Sequence, residues 1–186
     1  MIQTRNPALL VIDVQRAIDH FSRHPRNNPT AEQRIAELLA HWRERQWPVV
    51  HIRHSSRFPG SPYHADGPYF AFKPEAEPAT GESVVTKREN CAFVGTELDA
   101  ILRGLGATEL VATGVVINHS VDATVKAGAA LGYRILLPED ATATFGITLR
   151  NGESIDAEQL QQIFISNLEG EYAQICHSRD LVALPP

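Results

Sequence analysis

The stretch ELVATGVVINHSVDATVKAGAALG, residues 109–132, decides the fold that this chain can adopt. Its first part, ELVATGVV, is rich in apolar residues and predicts a strand. After Asn118 the amphipathic part HSVDATVKAGAALG predicts a helix that Gly132 closes. A strand that leads directly into a helix is the building unit of α/β folds.

The same alternation repeats on both sides of this stretch. The continuous apolar run ALLVIDV, residues 8–14, is typical of a strand covered on both faces of a sheet. Further strands are predicted for WPVVHIRHS, ESVVTK, YRILLPEDA and YAQICH, and further helices for TAEQRIAELLAHWRERQ, GTELDAILRGLGA and DAEQLQQIFISNLEG. The pattern predicts an α/β fold, a three-layer α/β/α, Rossmann-like domain over residues 1–186 with a mostly parallel six-stranded sheet.

Composition narrows the class of protein. The 186 residues carry a net charge of −5, which argues against a nucleic-acid or anionic-membrane partner. The first apolar run is too short for a signal-peptide core or a membrane span. The two cysteines, Cys91 and Cys176, are far apart and form no CxxC motif, so neither a disulfide framework nor a zinc site is expected. We therefore expect a cytoplasmic protein that binds neither nucleic acid nor membrane.

Polar residues stand where the predicted strands end. In open α/β sheets the ligand site lies beyond the carboxyl ends of the strands. The residues at these predicted ends are Asp13, His51, His54, Lys87, Asn118 and Ser120. Asp13 alone could be a helix cap or a turn residue, and Lys87 alone could be a solvated strand end. Together they predict an ion pair between neighbouring strand ends.

Four segments carry a resemblance to a known family. LLVIDVQ, VVTKRENCAFVGTELDAIL, VATGVVINHSVDATVKAGAALGY and EDATATF resemble, in this order, the isochorismatase-like hydrolases, and the likeness runs over residues 7–177. It implies a three-layer α/β/α domain in which many members hydrolyse small amides with a catalytic Asp, Lys and Cys. Asp13 and Lys87 match the first two, and Ser120 stands at the place of the nucleophilic cysteine. The resemblance also implies an oxyanion hole formed by the N–H groups of Val116 and Ser120, often with a cis peptide at Val115–Val116.

Serine at position 120 leaves the mechanism open. A hydroxyl is far less acidic than a thiol and normally needs an imidazole base, but His119 should point about 100° away from Ser120 on a helix. Cys91 lies four residues past Lys87, outside the motif position, and is interpreted as a small buried apolar side chain. Three interpretations of Ser120 remain open. It is a native serine in a lineage that uses another nucleophile or none, or it is a replacement of the catalytic cysteine. In the third interpretation it is an ordinary helix residue of a domain without catalysis.

The remaining candidates concern the substrate. We predict a small-molecule substrate that contacts Gln15, His54, Tyr63, Phe70 and Asn118. The aromatic and proline-rich segment 57–81 is expected to line the pocket or to form a subunit interface of a homo-oligomer, a dimer or a tetramer.

No metal and no cofactor are predicted. His51 and His54 face opposite sides of a strand, so they cannot readily share one ion. The nicotinamidase branch of the same superfamily binds a metal with an Asp and several His, and that spacing is not matched after His51.

The predicted function is hydrolysis of a small molecule, at a C–N bond of an amide or ureide, through Asp13, Lys87 and Ser120. One alternative is vinyl-ether hydrolysis, as isochorismatases perform it, with Asp13 as general acid and no nucleophile. The other is a catalytically silent oligomeric binding domain. The pairing of Asp13 with Lys87 favours an enzyme, since a silent domain has no need to bury two charges.

Overall fold

The structure, a computed structural model, describes residues 6–183. Nine strands are present in this range: β1 (Ala8–Ile12), β2 (Val49–His54), β3 (Ser83–Lys87), β4 (Glu109–Val115), β5 (Arg134–Pro138), β6 (Thr142–Ala143), β7 (Ile147–Thr148), β8 (Ser154–Ile155) and β9 (Gln174–Cys176). The α-helices are α1 (Ala31–Glu44), α2 (Leu98–Gly104), α3 (Asp122–Ala130), α4 (Ala157–Leu168) and α5 (Ser178–Val182). In the part of the chain that is described, no helix is long and apolar enough to cross a membrane.

The central sheet has the order β3-β2-β1-β4-β5-β9, and every neighbouring pair in it is parallel. The predicted mostly parallel sheet of six strands is therefore confirmed. A seventh strand, β6, pairs with β4 at Gly114 and Val115, beyond the part of β4 that pairs with β5. β6 thus continues the line of β5 after a short 3₁₀ turn at Glu139–Ala141. β7 and β8 form a separate antiparallel pair.

Both faces of the sheet are covered, which explains the unbroken apolar run of β1. Leu10 and Ile12 pack into the hydrophobic cluster that contains residues of α2, α3 and α4. Leu9 and Val11 point to the opposite face and pack into the cluster that contains residues of α1 and α5. Successive side chains of a strand alternate between its faces, so a strand with helices on both sides is apolar at every position. The predicted three layers are confirmed.

The passage from β4 into α3 differs from the simple helix that the sequence predicts. Residues Ile117–Val121 form a π turn, in which the N–H of Val121 donates to the carbonyl of Val116 across five residues, and α3 begins only at Asp122. The peptide bond between Val115 and Val116 is cis. That cis bond is the one that the family resemblance implies. Single π turns are frequent at functional sites.

Gly114, just before this passage, lies against β1. Its φ is +123°, and a Cβ atom at this position would lie 2.0 Å from the carbonyl oxygen of Ile12. Only glycine combines this backbone conformation with so close an approach. The carboxyl ends of β1 and β4, which carry the candidate site residues, are therefore held in contact through the backbone.

Candidate active site

Three polar side chains meet at the carboxyl edge of the sheet. Lys87, the last residue of β3, places its Nζ 2.7 Å from Oδ2 of Asp13, which follows β1. The same Nζ donates a 3.0 Å hydrogen bond to Oγ of Ser120, which lies in the π turn after β4. Asp13, Lys87 and Ser120 are 3%, 0% and 5% exposed. The ion pair predicted from the strand ends is present, and it is buried.

Burial makes this contact obligatory for the lysine. An ammonium group that leaves water needs a charged or hydrogen-bonding partner, because the desolvation cost is otherwise several kcal/mol. Lys87 has two such partners, a carboxylate and a hydroxyl. Since Lys87 donates to Ser120 Oγ, the hydroxyl proton of Ser120 is left to donate to a different acceptor.

Asp13 is held in an unusual position. Its φ is +55°, in the left-handed region that few non-glycine residues adopt, and its N–H donates to the carbonyl of Ile52 at 2.9 Å. One carboxylate oxygen, Oδ2, accepts from Lys87. The other, Oδ1, is buried and has no hydrogen-bond partner within residues 6–183. A buried carboxylate oxygen without a protein partner is available to accept a proton from a reacting group.

A cavity of about 110 Å³ adjoins these groups. Five of the predicted site residues line it: Asp13, His54, Tyr63, Val116 and Ser120. The remaining lining residues, which sequence reasoning did not select, are Phe21, Ser61, Asn90, Val115 and His119. Ser61 and Tyr63 belong to the segment 57–81, so this segment covers part of the pocket, which is one of its two predicted roles.

Gln15 and Phe70 are two of the three predicted substrate-binding residues that do not line this cavity. Gln15 is fully buried and ties two loops together, since its Oε1 accepts from the N–H of His54 at 2.8 Å and its Nε2 donates to the carbonyl of Phe70 at 2.8 Å. The ring of Phe70 packs under the guanidinium of Arg53, 4.8 Å from its centroid. Through these hydrogen bonds Gln15 holds the backbone of His54 and that of Phe70 together.

Asn118 and His51 do not line this cavity either. Asn118 Oδ1 accepts a 2.5 Å hydrogen bond from Thr144 Oγ1, and the residue lines a neighbouring cavity. His51 lies within β2, is fully buried, and its Nε2 is 2.8 Å from Oε2 of Glu82. The prediction that His51 lies at the site was wrong, because β2 continues for three residues beyond it.

Cys91 is half-buried, less buried than the sequence interpretation expects, and it does not line the cavity. Within residues 6–183 there is also no group of three or more His, Cys, Asp or Glu side chains that could hold a metal ion.

The aromatic and imidazole groups around the cavity are held in their neutral forms. Burial, together with the charge of Lys87, lowers the pKa of His54, and partial burial lowers the pKa of His119. Burial and the nearby Asp13 carboxylate raise the pKa of Tyr63 well above its ordinary value. The remaining ionisable side chain of the lining, Asp13, is paired with Lys87.

Comparison with known proteins gives a consistent result. The isochorismatase domain family matches residues 7–178. Over 98% of this chain and 95% of the other, the fold superposes on the crystal structure of an isochorismatase-family protein from Chromobacterium violaceum with a TM-score of 0.94 and 44% sequence identity. The isochorismatase family protein YrdC of Bacillus subtilis is 36% identical over 94% of each chain.

Two relatives with named activities match over a smaller share of the chain. Streptothricin hydrolase of Streptomyces noursei is 36% identical over 75% of this chain and 50% of that protein. Ureidoacrylate amidohydrolase RutB of Klebsiella pneumoniae is 30% identical over 64% of this chain and 59% of that protein.

Proposed function

The chain belongs to the isochorismatase family of hydrolases, and from this premise we propose that it cleaves a C–N bond of a small amide or ureide at Asp13, Lys87 and Ser120. The observation that carries the proposal is the buried contact of Lys87 Nζ with both Asp13 Oδ2 and Ser120 Oγ. The names of two relatives, streptothricin hydrolase and ureidoacrylate amidohydrolase, support hydrolysis and, in the second case, an amide substrate.

The first half of the reaction forms an acyl-enzyme. Asp13 accepts the hydroxyl proton of Ser120 while Ser120 Oγ adds to the substrate carbonyl. The ammonium of Lys87 stabilises the negative charge that develops on Oγ, and the positive end of the helical segment beginning at Ile117 acts in the same direction. The N–H groups of Val116 and Ser120 serve as the oxyanion hole. When the C–N bond breaks, the carboxylic acid of Asp13 returns its proton to the leaving nitrogen.

The second half releases the product. Water enters, Asp13 removes one of its protons, and the oxygen attacks the ester that joins the acyl group to Ser120. Collapse of the tetrahedral adduct breaks the bond to Oγ, Asp13 gives the proton back to Oγ, and the carboxylic acid leaves. The unpartnered Oδ1 of Asp13 suits both proton transfers, since it is buried beside the cavity and carries no competing hydrogen bond from the described protein.

Vinyl-ether hydrolysis is the competing function, because a weakly nucleophilic serine is compatible with a reaction that needs only an acid. In that reaction Asp13 protonates the substrate and Ser120 makes no bond to it. The two functions differ in the substrate that is consumed and in their dependence on residue 120.

The test is turnover of a panel of small primary amides, ureides and isochorismate by the purified protein. We expect release of ammonia from at least one amide or ureide. Asp13→Asn should lower kcat/KM by about 10²–10⁴-fold, because it removes the proton acceptor. Asp19→Asn is the matched control, since Asp19 is a more exposed carboxylate that pairs with Lys73 and lies outside the cavity. Turnover of isochorismate alone, or an Asp13→Asn variant as active as the control, would contradict the proposal.

A further inference from the structure

A second cavity of about 320 Å³ adjoins the reaction cavity. The two share three lining residues, Phe21, Val116 and His119. The other residues of the second cavity are Ser22, His24, Asn118, Thr144, Phe145, Gly146, Ile147 and Thr148. The reaction cavity, about 110 Å³, is smaller than the cavity of about 150 Å³ that holds one benzene molecule in another protein. A substrate much larger than a bare amide group must therefore extend beyond it.

Phe21 stands at the boundary between the two cavities. Its ring packs edge-on against His119 at 5.9 Å and against Tyr63 at 6.1 Å, and it lies 6.0 Å from the ring of Phe145. Tyr63 lines the reaction cavity, Phe145 lines the second cavity, and His119 lines both. The rings at this boundary thus form an aromatic surface against which an extended substrate can pack.

Residues with hydrogen-bonding side chains line the second cavity, among them Ser22, Asn118 and Thr144. Its lining contains neither Arg nor Lys, and neither Asp nor Glu. Arg26 and Lys73, which both bind Glu32, line neither cavity, and Arg23, between the lining residues Ser22 and His24, is exposed. In the reaction cavity the charge of Lys87 is already balanced by Asp13. An anionic substrate that leaves water in these cavities gains no Arg or Lys partner from their linings, which is costly.

We propose that the second cavity is the subsite for the substituent next to the scissile bond, and that it takes an uncharged, partly aromatic or amide-bearing group rather than a carboxylate. This inference rests on the proposed amide hydrolysis and narrows its substrate class. It also separates the protein from a hydrolase of isochorismate, whose two carboxylates would find no Arg or Lys in either lining.

The test measures equilibrium binding by calorimetry in the Ser120→Ala background, which removes the hydroxyl and keeps the charges of Asp13 and Lys87. Four amides are compared. Propionamide fits the reaction cavity, 3-phenylpropionamide extends beyond it, and succinamide and succinamate are of similar size but differ in one negative charge. We expect 3-phenylpropionamide to bind at least tenfold more tightly than propionamide, and succinamide at least tenfold more tightly than succinamate.

A variant that fills the second cavity tests whether the tighter binding of 3-phenylpropionamide arises there. Thr148 is exposed on β7 and lines the second cavity, so Thr148→Trp should fill this cavity without disturbing the core. It should abolish the advantage of 3-phenylpropionamide over propionamide. Arg150→Trp is the matched control, because Arg150 is exposed in the same hairpin and lines neither cavity.

Two results would overturn the inference: succinamate binding as tightly as succinamide, or a Thr148→Trp variant that behaves like the control. Failure of the proposed function has a different signature. In that case the four ligands would bind with the expected ranking while the protein with Ser120 intact cleaved none of them.

Discussion

Lys87 is the residue on which the site depends. It is among the largest fully buried side chains in the described protein, and its two partners come from chain positions 74 and 33 residues away. Such a group is poorly suited to stability alone, since a buried ion pair seldom contributes more than apolar residues of the same volume. Its burial therefore favours a chemical role, in which a fixed positive charge faces the atom that becomes negative.

Replacement of this lysine should be costly for the fold as well. Lys87→Met leaves the Asp13 carboxylate buried without its partner, and we expect the free energy of unfolding to fall by about 3–5 kcal/mol. Lys126→Met, which removes a partly exposed ion pair with Asp122, should cost about 0–1 kcal/mol. Urea unfolding at neutral pH measures both. Equal losses in the two variants would show that the buried contact has no special energetic weight.

At the scale of elements, Glu82 joins three parts of the structure just before β3 begins. Its carboxylate accepts from Arg43 of α1 at 2.7 Å and from the N–H of Ala79 at 2.7 Å, and it lies 2.8 Å from His51 of β2. Burial raises the pKa of Glu82, but these hydrogen bonds outweigh it and lower the pKa to about 2. Glu82 thus links the start of β3, the strand that carries Lys87, to α1 and β2.

This arrangement predicts an acid-sensitive contribution to stability. Because the pKa of Glu82 is lower in the folded protein than its ordinary 4.5, the unfolded chain binds more protons between these two values. Its contribution is complete above pH 4.5 and is lost as the pH falls toward 2. Glu82→Gln should therefore be less stable than wild type at pH 7, and the difference should shrink steadily between pH 5 and pH 3.

Urea unfolding at several pH values measures this difference. Glu75→Gln, at an exposed position, is the control and should show a small difference that does not change with pH. A Glu82→Gln deficit that stays constant down to pH 3 would contradict the assigned pKa.

At the scale of the whole molecule, the sequence predicts the layers and the sheet well. The spacing of apolar residues within a short segment distinguishes a helix from a strand, and a continuous apolar run indicates a buried strand. It also places Asp13, Lys87 and Ser120 at one edge, since parallel strands end on the same side. The site walls were harder to predict. Phe21, Ser61 and Asn90 come from segments without periodicity, and their contact with the cavity depends on how distant loops pack.

The same reason explains the misplaced residues. Gln15 and His51 are polar and lie near strand ends in the sequence, as site residues do, yet each satisfies buried partners inside the protein. Polar character and position in the sequence do not distinguish a side chain that binds substrate from one that supports the loops around it. That distinction requires the hydrogen-bond partners, which only the tertiary structure supplies.

The central claim is that Ser120 Oγ forms the bond to the substrate, and it is tested most directly by the rate of ammonia release from one amide with residue 120 varied. We expect Ser120→Ala to lose about 10³-fold or more in kcat, because the attacking atom is gone. Ser120→Cys should exceed wild type by about tenfold or more at neutral pH, because a thiolate forms beside Lys87 far more readily than an alkoxide. A Ser120→Ala variant that keeps the wild-type rate, while Asp13→Asn is inactive, would contradict the claim and identify Asp13 as an acid that acts without a nucleophile.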